Sequence, residues 1–464
     1  MNKYRPRSSW LRLAYETAII DPFDLYPNAT HEPLHPNLQL ALRNDRIRQT
    51  GLLGFGWRAG RLLTRLASWP FRNANRLPSG LLGHCWIAQT RNQVVAASPV
   101  HQALLKRGDD SVLVGSGELD LLILRSPWKA VWFLPLLFLR WFRADGYRRR
   151  SFGWSFDDLA LIYGIYWNAR RWLERNPLRS LIVLNDHSLL PSVLVKAAQD
   201  SAVPTAYLQH ACVTDRFPPL KVDLALLDGQ DSAEKYDVVD RHRTKVCKIG
   251  IPRFDAYVES INEGSVLRRL GVCFSLADEV DRIDELLDAL SPLRDLDILV
   301  RPHMGMPAQV IRHIERVSQS NGFEMSRHAE EKAFEFLKRI DVLISGTSAI
   351  ALEATLLNVT PINFVLCRSE PDWYGFIRNG LVDSTDDPDE LVRWLKRLQQ
   401  HRPEVQRKAK YFCETVQTDH HGKSAELAAS TIAESLTDLG PENDRTETPT
   451  TDSKSIHSRP ASVV

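Results

Sequence analysis

A chain of 464 residues, 44% hydrophobic and 25% charged, has the composition of a soluble globular protein and the length of about two to three domains. Its formal net charge of +2 argues against nucleic acid or an acidic partner as the main ligand, so any basic site must be a local cluster. Six scattered cysteines with no close pair suit neither a zinc site nor a disulfide framework, and they point to a reducing cytoplasm.

Residues 1–80 read as a helical, arginine-rich N-terminal extension broken by prolines. The apolar run Leu11–Ile20 carries Arg12 and Glu16, which makes it a poor signal peptide, so the Asn28-Ala29-Thr30 triplet is not expected to be glycosylated. The glycines of 51–60 lack the GxGxxG order and no strand precedes them, so a dinucleotide loop is rejected there.

From residue 84 short apolar runs alternate with amphipathic helices, the rhythm of βα units around a parallel sheet. Strands are expected at His84–Gln89, Ser111–Val114, Ser180–Asn185, Thr205–Gln209, Leu224–Leu227 and Lys245–Ile249, with helices near Pro99–Lys106, Asp157–Glu174 and Leu189–Gln199. The most apolar stretch, Trp128–Phe142, has an uncharged centre about half the ~20 residues a membrane span needs. It reads either as a buried helix or as an interfacial one, because tryptophans flank it and Arg148-Arg149-Arg150 follow, which makes 128–150 a candidate peripheral membrane contact.

A second βα series has strands at Val272–Ser275, Ile298–Arg301, Val342–Ser345 and Pro361–Phe364. Its helices are Glu279–Leu290, Ala308–Ser318, Glu335–Ile340, Ala349–Leu357 and Ser424–Leu436. The fold class is therefore α/β, with two doubly wound Rossmann-like domains facing a cleft. Residues 81–255 form the N-terminal Rossmann-like domain, 256–436 the C-terminal one and 437–464 a disordered tail, too poor in apolar residues to repay its ordering. Gly422-Lys423-Ser424 is rejected as a phosphate loop, since Gln417 stands where that motif needs glycine.

Ligands of open α/β sheets sit at the carboxyl ends of the strands, which singles out four groups. His210 follows the strand ending Tyr207-Leu208-Gln209, where a neutral imidazole can take a proton from a hydroxyl or simply brace its loop. Asp186, and Asp215 in the loop after His210, compete as the base, although Asp186 also suits a helix N-cap. Arg301 and His303 flank Pro302 at a strand end, placed for a phosphate or merely for solvent. Ser345, Gly346, Thr347 and Ser348 run from strand into helix. They offer backbone N–H groups and hydroxyls to a phosphate, or ordinary capping, with Glu353 further on within reach of a ribose. No metal site is expected.

The segment SGTSAIALEATLLNVTPINF resembles the donor-binding signature of GT-B glycosyltransferases that build capsules and teichoic acids. Arg301-Pro302-His303 resembles the His-Pro element of bacterial sialyl- and polysialyltransferases and of CDP-glycerol glycerophosphotransferases. Tyr207-Leu208-Gln209-His210-Ala211 resembles the Gln-His-Gly element of capsule Kdo transferases. Ile249-Gly250-Ile251-Pro252-Arg253-Phe254-Asp255 and Gly422-Lys423-Ser424-Ala425 are similar to further family segments, and together the matches cover about 178–432. The resemblance implies an enzyme that moves a sugar, or a polyol phosphate, from a CMP-, CDP- or UDP-linked donor to a glycan or lipid-linked glycan acceptor. It needs no cofactor, and it works in the cytoplasm at the inner face of the plasma membrane. A UDP-N-acetylglucosamine 2-epimerase-like enzyme and a non-catalytic subunit of a capsule assembly complex are the rival expectations.

Overall fold

The computed structural model describes residues 9–34, 51–68, 78–236, 244–327 and 330–437. Six parallel strands make the first sheet: β1 Gly83–Ala88, β2 Ser111–Gly115, β3 Leu178–Val183, β4 Thr205–Leu208, β5 Leu224–Leu227 and β6 Lys245–Lys248, in the order β2-β1-β3-β4-β5-β6. The second is also parallel: β7 Arg269–Cys273, β8 Asp297–Arg301, β9 Glu324–Met325, β10 Val342–Ser345, β11 Thr360–Phe364 and β12 Asp383–Thr385. Read from the β9 edge its order is β9-β8-β7-β10-β11-β12, the 3-2-1-4-5-6 winding whose switch point lies between its first and fourth strands.

All ten expected strands form, within a few residues of the expected bounds. The sequence gives no sign of β9 and β12. One is only Glu-Met and the other reads Asp-Ser-Thr, so neither edge strand has an apolar alternation to detect.

The helices of the first half are α1 Trp10–Ile19, α2 Pro27–Thr30, α3 Gly51–Ser68, α4 Arg91–Lys106, α5 Ser116–Leu124, α6 Ser126–Arg143, α7 Gly146–Leu173, α8 Leu189–Asp200 and α9 Gln230–Tyr236. Those of the second are α10 Val280–Leu290, α11 Ala308–Ser320, α12 Ala333–Leu337, α13 Ile350–Leu356, α14 Pro388–Gln400 and α15 Ser424–Thr437. Helix α4 begins eight residues before the expected Pro99, because Thr90 accepts the Gln93 N–H at 3.3 Å and starts it there. Helix α7 extends far ahead of the expected Asp157, with a kink at Ser155 between its two limbs.

Alternation splits each central strand between two cores. Leu181, Val183, Tyr207, Ala225 and Leu227 face the layer that contains α7 and α8. Ile182, Leu184, Ala206, Leu208, Leu224 and Leu226 face α4 and α15. By sequence, 424–436 belongs with the second half; its apolar residues Ala428, Ala429 and Ile432 instead lie in the core of the first sheet.

The cause is visible in the connection between the sheets, a 3-10 segment Pro252–Ser260. Asp255 accepts the N–H groups of Ser424 and Ala425 at 3.0 and 2.8 Å, capping α15. Gly250 has φ +75°, and a Cβ there would fall 2.2 Å from the Thr415 hydroxyl, so only glycine fits. The two segments that sequence treats as separate matches are thus the two halves of one contact.

The N-terminal helices are clamped by charge. Arg58, Arg61 and Arg65, one face of α3, surround Asp157 and Asp158, with Arg61 Nε 2.8 Å from the fully buried Asp157 carboxylate. Arg170 holds Glu16 of α1 at 2.9 Å. No single helix among the described residues is long and apolar enough to cross a membrane. The pair 117–124 and 126–143, bent by 46°, reaches that length and composition only together. Residues 438–464, expected to be disordered, lie outside the described residues, as do 1–8, 35–50 and 69–77 of the N-terminal extension.

Candidate functional site

At the carboxyl ends of β3 and β4 the structure brings His210 within electrostatic reach of Asp186. Asp186 is not the helix cap that its position allows. The N-cap of α8 is Ser188, without a side-chain capping bond, and Asn185 braces the turn before it, accepting the N–H groups of His187 and Ser188 at 3.0 and 2.9 Å. The Asp186 carboxylate is left with Oδ1 2.9 Å from His187 Nδ1, while Oδ2 is buried with no hydrogen-bond partner among the described residues. His210 Nδ1 is equally unpartnered. Burial, then the positive charge of Arg253, pushes the His210 pKa down to about 4, so the ring is neutral near pH 7.

Arg253, from the segment joining the sheets, reaches both halves of the cleft. Its Nη1 donates to the His210 carbonyl at 3.1 Å and its Nη2 to Glu353 Oε1 at 3.3 Å. Glu353, expected at a ribose, is thereby tied to the loop of the candidate base. Sequence quoted Arg253 within a motif but gave it no role.

Asp228 was missed altogether. It directly follows β5, is 1% exposed, and neither carboxylate oxygen has a partner among the described residues. Burial lifts its pKa to about 8, against the pull of Arg253. An acid directly after the all-apolar Leu224–Leu227 was the available signal. Unpaired atoms on His210, Asp186 and Asp228 in one region are unusual in a finished core and suit groups kept for a ligand or a proton.

Ser345, Gly346, Thr347 and Ser348 sit at the β7/β10 switch point of the second sheet. Gly346 packs on Asp278, another residue sequence overlooked, whose carboxyl would lie 2.8 Å from a Cβ at 346. Asp278 accepts from the N–H and hydroxyl of Ser275 at 2.6 and 2.7 Å, and burial raises its pKa to about 6. The cavity at this turn is only about 10 Å³, space for about one water.

A strap running from 369 to 380 closes it. The Thr347 hydroxyl donates to the carbonyls of Glu370 and Pro371 at 3.0 and 2.8 Å, and Pro371, Asp372 and Tyr374 line the cavity. The strap also grips the first half. Arg216 pairs with Glu370 at 2.7 Å and lies over Trp373, Lys235 donates to the Tyr374 carbonyl at 2.8 Å, and Arg378 pairs with Asp215 at 3.0 Å. Asp215, expected as a competing base, is therefore half of an exposed bridge to the strap.

Arg301 does not point freely at a phosphate site. Its guanidinium donates to Ser326 Oγ at 2.8 Å and to the Glu331 carbonyl at 2.7 Å, and it packs over Phe336. His303 is exposed, and its Nδ1 accepts the Gly305 N–H at 3.0 Å. Among the described residues no group of three or more His, Cys, Asp or Glu is placed to hold a metal ion.

No protein-family model and no curated protein matches this chain. Solved structures do. UDP-GlcNAc 2-epimerase from Neisseria meningitidis bound to UDP-GlcNAc is similar with a TM-score of 0.52 at 13% identity, over 77% of this chain and all of that one. A second UDP-N-acetylglucosamine 2-epimerase is similar with a TM-score of 0.50 at 13% identity, over 81% and 100%. The fold they share with this chain is two Rossmann-like domains facing a cleft, the GT-B arrangement. The wall teichoic acid polymerase TagF aligns with a TM-score of 0.44 at 12% identity, over 84% and 99%.

Proposed function

We propose that the protein is a transferase that moves a sugar, or a polyol phosphate, from a CMP-, CDP- or UDP-linked donor to a glycan hydroxyl in the assembly of a bacterial surface polysaccharide. The observation that carries this reading is the Arg253 bridge, which sets the neutral His210 and the donor-side Glu353 on one guanidinium between two Rossmann-like sheets. In this reading the nucleotide phosphates lie at Ser345–Ser348 and His303, the ribose lies by Glu353, and Arg301 supports the wall behind them.

The acceptor oxygen attacks the transferred group and the bond to the leaving phosphate breaks. The acceptor proton passes to His210 or to Asp186. Fixed N–H groups and hydroxyls offset the charge gathering on the leaving phosphate, a larger contribution than the base in such reactions. The protein works from the cytoplasm at the inner membrane face, and no cofactor is required.

The test has two stages. CMP-, CDP-, UDP- and GDP-ligands are screened for a rise in melting temperature, and the donor found is then assayed with and without a glycan acceptor. His210→Asn should lower turnover about 10²–10⁴-fold with donor affinity kept, and the acid limb of the rate profile should fall near pH 4. Donor turned over to free sugar with no acceptor would instead mark an epimerase-like enzyme.

A further inference from the structure

Lined by none of the residues of the SGTS turn, a groove of about 850 Å³ opens between α3, α6 and the start of α7. Leu52, Phe55, Phe138, Trp141, Phe152 and Trp154 line it. The aromatic rings brace one another, with Phe55 stacked on Phe152 at 5.7 Å and Trp141 on Phe152 at 5.0 Å, so the walls are stiff. A site of this size lies in the range of small-ligand pockets, about 300–1,000 Å³, yet it is almost wholly apolar and open to the surface.

Three observations identify its occupant. Exposed apolar side chains stand on the same two helices: Leu52 and Leu53 on α3 are 89% and 85% exposed, and Trp132 and Phe142 on α6 are 66% and 64% exposed. Such a patch marks a lipid or protein contact rather than a face left to water. The polar groups at the groove are mainly cationic. Arg149 lies over Trp141 with no carboxylate partner among the described residues, and Arg150 lies over Tyr147 and pairs with Glu32 at 3.5 Å, both of its side-chain partners at the groove rim. Finally, the groove is one short helix from the candidate base. Trp154 donates to the Ala29 carbonyl at 3.1 Å, and Asn28, on the same helix α2, donates to the His187 carbonyl at 3.1 Å and to Ser188 Oγ at 3.3 Å.

We propose that this groove binds the apolar chain of an anionic lipid, with Arg149 and Arg150 on its phosphate, so that whatever the headgroup carries extends past α2 towards His187 and His210. That the bound lipid is the acceptor rests on the transferase reading; the binding itself does not. Long guanidinium side chains at the edge of an aromatic slot match an amphiphile whose charge sits at the membrane surface and whose tail does not.

The test is equilibrium binding of monomeric lysophosphatidylglycerol to the full chain, beside lysophosphatidylcholine and sedimentation with vesicles of phosphatidylcholine and phosphatidylglycerol. Saturable binding that favours the anionic lysolipid is expected. Leu52→Glu and Arg149→Glu should each weaken it at least about tenfold, whereas Trp132→Glu, outside the groove, should lower vesicle sedimentation alone. The nucleotide-induced melting shift should be unchanged in all three. Wild-type protein that binds no lysolipid, as when the chain itself fills the groove, would overturn the proposal. So would groove variants that bind as tightly as wild type, or equal affinity for both lysolipids. Loss of the nucleotide shift with lysolipid binding retained would remove the transferase reading and leave the lipid site standing.

Discussion

Asp228 carries a cost that shows in how stability depends on pH. Its carboxyl has a pKa of about 8 in the fold and the ordinary carboxylate value when unfolded. Between about pH 4 and pH 8 the unfolded chain gives up the proton while the folded one keeps it, so this residue's contribution falls as pH rises through that window. His210, neutral in the fold down to about pH 4, acts in the opposite sense and loses stability as pH falls from about 6.5 towards 4. Asp228→Asn isolates the first effect. Thermal unfolding should show the variant melting a few degrees above wild type at pH 8, with the gap closing towards pH 4. An equal gap at both pH values would mean that packing, not ionisation, separates the two proteins. Lower turnover in the same variant would add Asp228 to the proton-handling groups, since buried carboxyls of raised pKa cluster at functional sites.

The strap is the element that stands between the Ser345–Ser348 turn and solvent. Its own turn is stapled by Asp372, which accepts the N–H groups of Ile377 and Arg378 at 3.0 and 3.1 Å. Two of its ties to the first half, Arg216–Glu370 and Arg378–Asp215, are partly or well exposed and worth roughly 0.2–1 kcal/mol each. If a nucleotide must displace the strap to reach Ser345–Ser348, removing both ties removes part of that cost. Arg216→Ala with Arg378→Ala should therefore tighten nucleotide binding about two- to tenfold in a titration. Weaker binding would mean that the strap is a wall of the occupied site rather than a cover over it. Thr347 explains why sequence saw a cradle and not its cover. Its hydroxyl faces the carbonyls of Glu370 and Pro371, more than twenty residues away, and no local pattern predicts that pairing.

At the scale of the whole molecule, Arg253 is a partly buried cation that touches both the His210 carbonyl and Glu353, and its loss leaves the Glu353 charge without this partner. Arg253→Met should lower the melting temperature and broaden calorimetric unfolding towards two transitions, one for each sheet. A single sharp transition at the wild-type temperature would show that α15 and its Asp255 cap couple the halves without it. Sequence by itself determined the two parallel sheets and their strand ends, because strands buried on both faces must be continuous apolar runs and the turns after them must carry the polar residues. It therefore placed His210, Asp186 and Ser345–Ser348 at the right ends of the right strands. Tertiary structure alone decided what those residues face: Arg301 turned to Ser326 and Glu331, Asp215 bound to the strap, Glu353 held by Arg253, and α15 returned to the first sheet. Periodicity records which side of an element is buried, whereas the partner of a charge is fixed by groups brought together from 25 to more than 150 residues away, and that distance leaves no trace in local sequence.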